Sequence, residues 1–242
     1  MVWKLVLPTM LMFVIASPVC QAELITTFDF TGASGNQLST PGTATNSAAG
    51  HLTVGNIARG TGVTADAATN SISSTGWSVG ALDLNDYYGF TLTPNAGYSL
   101  NVDQIVFSER RSGTGIRNIS IRSSLDGFTS DLFSVGVPDN TSTRRETANF
   151  GSAFDALTTG VTFRFYGFTA EAVGGTWRIG NQTSDNQTTS PPNLIVNGSV
   201  SAVPEPSSMA LLAIGGCGIV LSRLRKPRAA SDPLPQHSVL SD

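Results

Sequence analysis

Short runs that alternate between apolar and polar side chains fill most of the chain between positions 24 and 200. This period-two alternation predicts β-strands with one buried face, and the runs end in Gly, Pro, Asn and Asp residues that favour turns. The clearest run is Val161–Phe168, with aromatic residues on one face and small or polar residues on the other. The predicted strands are 24–30, 51–54, 87–93, 98–108, 116–122, 132–137, 147–150, 161–168, 176–180 and 194–200.

The succession of these runs also predicts the fold class. No stretch between the two terminal segments has a sustained helical period. Many short strands joined by polar turns are typical of an all-β fold in which two sheets pack face to face. We therefore predict a jelly-roll-like two-sheet β-sandwich for residues 23–202. Residues 94–97 have the composition of a turn, so we expect strands 87–93 and 98–103 to form a hairpin.

The C-terminal part of the chain has a different pattern. The rigid segment Val203-Pro204-Glu205-Pro206 is incompatible with a helix, and an uncharged apolar run follows at 209–221. This run has thirteen residues, fewer than the roughly 20 of a comfortable transmembrane helix, which leaves a buried core helix as the alternative. Positive charge after the run favours a single transmembrane helix with a cytoplasmic stop. The basic residues of that stop are Arg223, Arg225, Lys226 and Arg228.

The N-terminus predicts export. A charged start, an apolar core and the small residues before position 23 form a signal peptide at 1–22, with cleavage after Ala22. This implies the Sec translocon and signal peptidase as partners. The competing interpretation is a lipoprotein acylated at Cys20. If both ends are targeting segments, the precursor is anchored in the inner membrane with residues 23–202 outside.

The order of motif, apolar run and arginine cluster resembles the PEP-CTERM sorting signal of Gram-negative bacteria. The resemblance implies that an exosortase recognises Pro204, Glu205 and Pro206 and releases the protein to the cell surface or the medium. It places the sorting signal at 203–228. The tail at 229–242, which we expect to be disordered, departs from the family, whose members usually stop soon after the basic cluster.

Composition narrows the functions of residues 23–202. Both cysteines, Cys20 and Cys217, lie in the targeting segments, so the exported body has no disulfide and depends on a packed core. It contains fourteen acidic residues, nine arginines and no lysine, a net charge of −5. Nucleic acid is not an expected partner, because there is no basic stripe.

One catalytic motif is present but lacks its context. Residues 76–80 match Gly-x-Ser-x-Gly, in which a strand-to-helix turn presents a serine to a histidine. A strand rather than a helix follows Ser78, and the two histidines, His51 and His237, are in the wrong places. We expect no catalytic residue, no metal site and no cofactor. Asp83, Asn85 and Asp86 are compatible with a calcium site, but a turn held by these side chains is the simpler interpretation.

Two classes of function are open. The first is a structural or glycan-contacting surface module associated with exopolysaccharide or biofilm, and the second is a secreted hydrolase of matrix polysaccharide. Sugars stack on aromatic rings and hydrogen-bond to polar neighbours. The candidate glycan contacts are Trp77, Tyr87, Trp177 and Arg178. The alternative is that most of these rings belong to the core. Tyr87 and Tyr88 are adjacent in a strand, so they point to opposite faces.

The sorting motif gives a direct test. Changing Glu205 to Ala is expected to leave full-length protein in the membrane and to reduce the released form, because the exosortase reads the Pro-Glu-Pro segment. Immunoblots and mass spectrometry of membrane and medium fractions measure the two forms. A Ser78→Ala variant serves as the control and is expected to be released like the wild type. Equal release of all three proteins would refute recognition of this motif.

Overall fold

The computed structural model describes residues 23–180 and 194–204. This part of the chain contains fifteen β-strands and three single turns of 3-10 helix. The strands are β1 (Glu23–Phe28), β2 (Ser39–Thr40), β3 (Gly42–Ala44), β4 (Leu52–Val54), β5 (Ile57–Arg59), β6 (Thr64–Ala65), β7 (Ser71–Thr75), β8 (Tyr87–Pro94), β9 (Tyr98–Arg111), β10 (Asn118–Ser123), β11 (Phe133–Gly136), β12 (Arg144–Asn149), β13 (Val161–Phe168), β14 (Trp177–Gly180) and β15 (Leu194–Ala202). The 3-10 turns are Asn46–Ala48, Ser124–Asp126 and Ser152–Phe154.

The strands build two sheets. One sheet has eight strands in the order β3-β1-β15-β9-β14-β7-β6, with β12 also paired to β9. The other has seven strands in the order β11-β10-β13-β8-β5-β2, with β4 also paired to β8. All pairs between these strands are antiparallel. Residues of both sheets pack into one hydrophobic cluster. The predicted all-β class with two stacked sheets is therefore confirmed.

Individual strands agree with the hydrophobic pattern where the pattern is strong. β13 has the predicted bounds, and β9 is one continuous strand of fourteen residues that pairs with β12, β14 and β15. β5 and β7 were not predicted. β5 has only three residues, and β7 carries buried serines where an alternating strand would show apolar side chains. β7 therefore lacks the alternation of apolar and polar residues that identifies a strand, and its serines resemble a surface loop in the sequence.

The predicted hairpin at residues 94–97 is wrong. β8 lies in the seven-stranded sheet and β9 in the eight-stranded sheet, so the turn carries the chain from one sheet to the other. β8 pairs instead with β13, β5 and β4, and β9 pairs with strands far away in sequence. Turn residues specify a reversal of the chain but not which strand becomes the partner.

Phenylalanine rings from both sheets fill the core between them. Phe28 of β1 contacts Phe90 of β8 with ring centroids 4.7 Å apart, and Phe107 of β9 contacts Phe165 of β13 at 5.1 Å. All four are buried. Such aromatic pairs contribute about 0.5–1.5 kcal/mol each beyond the burial of their surface. These cross-sheet contacts hold the two layers together in a domain without cysteine.

A second aromatic cluster joins the sheets near β7. Trp77, Tyr88 and Trp177 are fully or almost fully buried, and their ring centroids lie 5.1–5.2 Å apart. The hydroxyl of Tyr88, on β8, donates to the backbone carbonyl of Trp177, on β14, over 2.8 Å. Burial raises the pKa of Tyr88, so the phenol stays protonated and remains a donor. Each ring thus has both an apolar environment and a partner for its polar atom.

Arg59 provides a polar link between the layers. It lies on β5 of the seven-stranded sheet, and its guanidinium donates to the carbonyl and hydroxyl oxygens of Ser73 and Ser74 on β7 of the other sheet. It also donates to the carbonyls of Gln37 and Gly35. Burial lowers the pKa of Arg59. Of the serines in β7, Ser74 serves Arg59 with its hydroxyl, whereas Ser73 accepts through its backbone carbonyl.

The terminal segments lie outside the described residues. This applies to the signal peptide predicted at 1–22, the transmembrane helix predicted at 209–221 and the tail at 229–242. Within residues 23–180 and 194–204, no helix has the length and apolarity needed to cross a membrane.

Arg59 allows a test of the link between the sheets. We expect Arg59→Lys to lower the free energy of unfolding by about 2–3 kcal/mol, because one ammonium cannot satisfy all the carbonyls that the guanidinium reaches. Urea denaturation measures the change. Arg145, exposed on β12, offers a matched control, and Arg145→Lys is expected to have the stability of the wild type. A loss below about 0.5 kcal/mol in Arg59→Lys would contradict the structural role, since surface substitutions have effects of that size.

Candidate functional site

The outer face of the seven-stranded sheet carries a row of paired side chains. On neighbouring β8 and β13, Tyr87 lies opposite Tyr166, Gly89 opposite Arg164 and Thr91 opposite Thr162. These positions point away from the core because the intervening residues of β8 are buried in it, although Tyr166 is itself fully covered. The prediction that Tyr87 and Tyr88 point to opposite faces is confirmed: Tyr88 is fully buried and Tyr87 only partly.

A groove of about 200 Å³ lies on this face. Glycine at position 89 helps to keep it open, because a Cβ there would be 3.2 Å from the ring of Tyr87. The groove is lined by Gly55, Asn56, Ala58, Arg59, Tyr87, Gly89, Phe90, Thr91, Thr162 and Arg164. Its lining is mixed, with polar side chains beside the ring of Tyr87 and apolar surface.

Arg164 is held between two aromatic rings. The carbon of its guanidinium lies 4.2 Å from the centroid of Tyr87 and 3.9 Å from that of Phe128. Such cation–π contacts stabilise a guanidinium in a fixed orientation and contribute about 0.5–2 kcal/mol, the more so when the group is desolvated. We call these three residues, Arg164, Tyr87 and Phe128, the arginine clamp.

Phe128 reaches the clamp through an unusual backbone conformation. Its φ is +63°, in the left-handed region that bulky residues rarely adopt. The loop that carries it is fixed by Asp126, whose carboxylate accepts hydrogen bonds from the backbone amides of Ser130 and Thr129. Hydrogen bonds from Ser130 and Thr129 lower the pKa of Asp126 to about 2. Arg122 adds a hydrogen bond to the carbonyl of Phe128. The loop therefore holds a strained residue over Arg164.

The guanidinium of Arg164 has no hydrogen-bond acceptor within the described part of the chain. Its Nε–H is buried without a partner, and the residue lines the groove. Nearby, the hydroxyls of Thr91 and Thr162 are 2.7 Å apart. Since one hydroxyl donates to the other, one hydroxyl hydrogen is left to bind a ligand. The groove thus offers several donors in fixed positions.

Two of the predicted glycan contacts are wrong. Trp77 and Trp177 are 1% and 0% exposed, so neither ring can meet a ligand. Their indole nitrogens are also engaged, donating to the carbonyl of Ser74 and to Glu109 respectively. Both tryptophans belong to the core cluster, where burial of their large rings against Tyr88 stabilises the domain. The alternative interpretation, that most of these rings are core, is therefore the correct one.

The other two predicted contacts lie on different sheets. Tyr87 faces the groove, whereas Arg178 lies on β14 in the eight-stranded sheet, opposite Arg110 of β9. Burial, and then the charge of Arg110, lower the pKa of Arg178. Neither Arg164 nor Phe128 was among the residues predicted from the sequence. A signal for Arg164 existed, since it alternates with inward phenylalanines in β13, but Phe128 belongs to a loop and has none.

The arrangement around Ser78 is structural. Its hydroxyl donates to the carbonyl of Ala81, its backbone amide donates to Asp86, and no helix follows it in the described chain. The Asx turn predicted for this region is confirmed, because Asp83 accepts a hydrogen bond from the backbone amide of Asn85. Among residues 23–180 and 194–204 no group of three or more His, Cys, Asp or Glu side chains is placed to hold a metal ion.

The most buried carboxylate is also engaged in structure. Glu109, fully buried on β9, accepts hydrogen bonds from Arg144 and from the indole of Trp177. Burial raises the pKa of Glu109, and the charge of Arg144 opposes that rise. Both oxygens have protein partners, so this carboxylate is not presented to a substrate. Of the sorting residues, Pro204 is exposed at the end of the described chain, and Glu205, Pro206 and the basic stop lie outside it.

The fold and the groove define an all-β sandwich protein with a polar surface site. Residues 202–226 match the family model of the PEP-CTERM protein-sorting motif. The chain therefore carries a PEP-CTERM protein-sorting motif, which indicates an exported protein sorted to the cell surface.

Comparisons over the whole chain add little to this identification. No curated protein matches the chain. A solved "Carbohydrate binding module family29" is similar over 74% of this chain and 90% of its own, with 15% identity and a TM-score of 0.37. A second module of that family, complexed with mannohexaose, has the same identity and TM-score, and the similarity covers 74% of this chain and 94% of the module. Similarity at this level is too low to transfer a function.

The strained loop gives a sharp test of the clamp. Phe128→Gly and Phe128→Ala both remove the ring, but glycine adopts φ +63° freely whereas alanine does not. We expect the glycine variant to be more stable than the alanine variant by about 1 kcal/mol in urea denaturation. At Phe133, in strand β11, the order of the two variants is expected to reverse. A less stable glycine variant at position 128 would show that the residue is not held in this conformation.

Proposed function

We propose that this protein is an exosortase-sorted surface protein whose sandwich binds polysaccharide without cleaving it, in an exopolysaccharide layer or biofilm. Its precursor crosses the inner membrane through the Sec translocon, loses residues 1–22 to signal peptidase and stays anchored by residues 209–221. The exosortase then recognises Pro204-Glu205-Pro206 and releases the sandwich, which has a jelly-roll-like strand arrangement.

The sorting part of the proposal is supported by the match of residues 202–226 to the PEP-CTERM motif. Val203 and Pro204 follow β15 and are exposed, so the chain is accessible where this strand ends. An enzyme that reads the motif needs such access. The arginine cluster after the apolar run is expected to keep the end of the precursor in the cytoplasm until processing.

The binding part is carried by one observation: the arginine clamp holds a guanidinium without a hydrogen-bond acceptor in the wall of an open groove. Saccharides offer hydroxyl oxygens that accept hydrogen bonds and C–H faces that pack on rings, and the groove has both kinds of partner. Tyr87 supplies the ring, and Arg164, Thr91 and Thr162 supply polar hydrogens. A rigid sheet with fixed side chains loses little conformational freedom on binding.

The composition of the groove supports binding rather than hydrolysis. Its ten lining residues include no Asp, Glu or His. Glycoside hydrolysis normally requires two carboxyl groups on either side of the scissile bond. A polysaccharide seated in this groove would meet arginine, threonine and asparagine side chains, which can hold it but cannot supply an acid and a nucleophile.

Removal of the ring at position 87 tests the site. We expect Tyr87→Ala to weaken retention on the matrix polysaccharide of the host by about fivefold or more, because the ring both lines the groove and orients Arg164. Affinity gel electrophoresis of the full-length protein measures retention.

Tyr98→Ala is the matched control. Tyr98 is also partly exposed but stacks on His51 with ring centroids 4.0 Å apart, outside the groove. Its loss is expected to leave retention unchanged. Equal retention by Tyr87→Ala and the wild type, or equal weakening by both variants, would refute the groove as the binding site.

A further inference from the structure

We propose that the ligand of the groove is an anionic polysaccharide, bound through a carboxylate or sulfate group at the guanidinium of Arg164. The inference rests on the proposed polysaccharide binding and specifies its chemical class.

Five of the other eight arginines in the described chain have polar partners. Arg111 and Arg117 share Asp139 and Glu171, Arg122 pairs with Asp131, and Arg144 pairs with Glu109. Arg59 is saturated by carbonyl and hydroxyl oxygens. Arg110, Arg145 and Arg178 make no ion pair with a described carboxylate, but unlike Arg164 none of them is stacked between two rings. No carboxylate of the described residues lies within ion-pairing distance of Arg164, although it lies among other side chains on a sheet. Its charge therefore has no ion-pair partner, although the side chain is held by its neighbours and is not freely solvated.

The geometry of the clamp also bears on the ligand. The rings of Tyr87 and Phe128 stack on the guanidinium, and its edge is the part that is left for hydrogen bonding. A planar guanidinium donates two parallel hydrogen bonds to the two oxygens of a carboxylate, sulfate or phosphate group. Because the rings already order the side chain, Arg164 loses little further rotational freedom when it forms such a pair. The loop strain at Phe128 is consistent with a side chain held in place for binding.

The charge of the groove differs from that of the rest of the domain. The exported body carries a net charge of −5, so an anionic polymer is repelled by most of the domain. The groove is different, since Arg164 lines it and none of its lining residues is acidic. Arg59 also borders it, but its guanidinium is bound to oxygens of the other sheet and of the segment 35–37. An anionic group at Arg164 gains a charge-assisted bond, which is roughly twice as strong as a bond between neutral groups. A neutral sugar hydroxyl gains less from the same donor, so the clamp favours charged saccharides.

The test compares polymers that differ in charge. Full-length protein, purified in detergent with its sorting segment, is run in affinity gels that contain polygalacturonate, its methyl-esterified form, dextran sulfate or neutral dextran. We expect the wild type to be retained by polygalacturonate, by dextran sulfate or by both. Retention by the corresponding neutral polymer, methyl-esterified polygalacturonate or dextran, is expected to be at least about tenfold weaker. The two anionic polymers distinguish a carboxylate ligand from a sulfate ligand.

Two variants assign the effect to the clamp. Arg164→Gln is expected to lose retention on the anionic polymer by about tenfold or more. Arg178→Gln removes the same charge from the other sheet and is expected to bind like the wild type. Thermal unfolding confirms that each variant is folded. Arg164→Lys separates the contribution of the positive charge from that of the planar guanidinium, since it keeps the charge but loses the two parallel donors.

The outcomes separate this inference from the proposed function. Equal binding of charged and neutral polymers, unaffected by Arg164→Gln, would overturn the anionic ligand and leave polysaccharide binding intact. Equal weakening by Arg164→Gln and Arg178→Gln would also overturn it, because net charge alone would then explain retention. If none of the four polymers and no host polysaccharide retains the protein, both the inference and the proposed function fail.

Discussion

The inward position of Tyr88 is the contact on which the rest of the sandwich depends. Its hydroxyl donates to the backbone of Trp177 in the opposite sheet, and its ring lies between two buried tryptophans. A strand alternates its side chains, so this anchor forces Tyr87 and Gly89 onto the outer face. The core contact and the surface groove are thus two sides of the same strand, and a slip of one residue in β8 would destroy both.

Two polar sites in the described domain differ in how their charges are satisfied. Half-buried Arg59 links the two sheets through its hydrogen bonds to β7, and the fully buried Glu109 is bonded through both oxygens to residues of its own sheet. On the outer face, Arg164 is left without an acceptor beside a strained Phe128. Unsatisfied groups and strain persist where the surrounding structure maintains them, and they tend to occur at binding sites. The contrast between these two places is what distinguishes structural arginines from the proposed binding residue.

Aromatic residues near polar neighbours were a poor guide to the site. Trp77 and Trp177 have acidic or basic residues close in sequence, yet both rings are core. A neighbour in sequence along a strand points to the opposite face, so Arg178 lies outside whereas Trp177 lies inside. The clamp instead joins residues 87, 128 and 164, which are separated by about forty residues each. Only the pairing of β8 with β13 and the path of the loop bring them together.

The sequence by itself determined the class of fold, the strongest strands and the sorting motif. These follow from local information: alternation needs only neighbouring residues, and the motif at 202–226 is continuous. The tertiary structure decided strand partners, the burial of the tryptophans and the assembly of the groove. Turn 94–97 illustrates the difference, since its residues specify a reversal but the choice between a hairpin and a crossing to the other sheet depends on which surfaces can be buried together. That choice is made by contacts distant in sequence, which no local pattern contains.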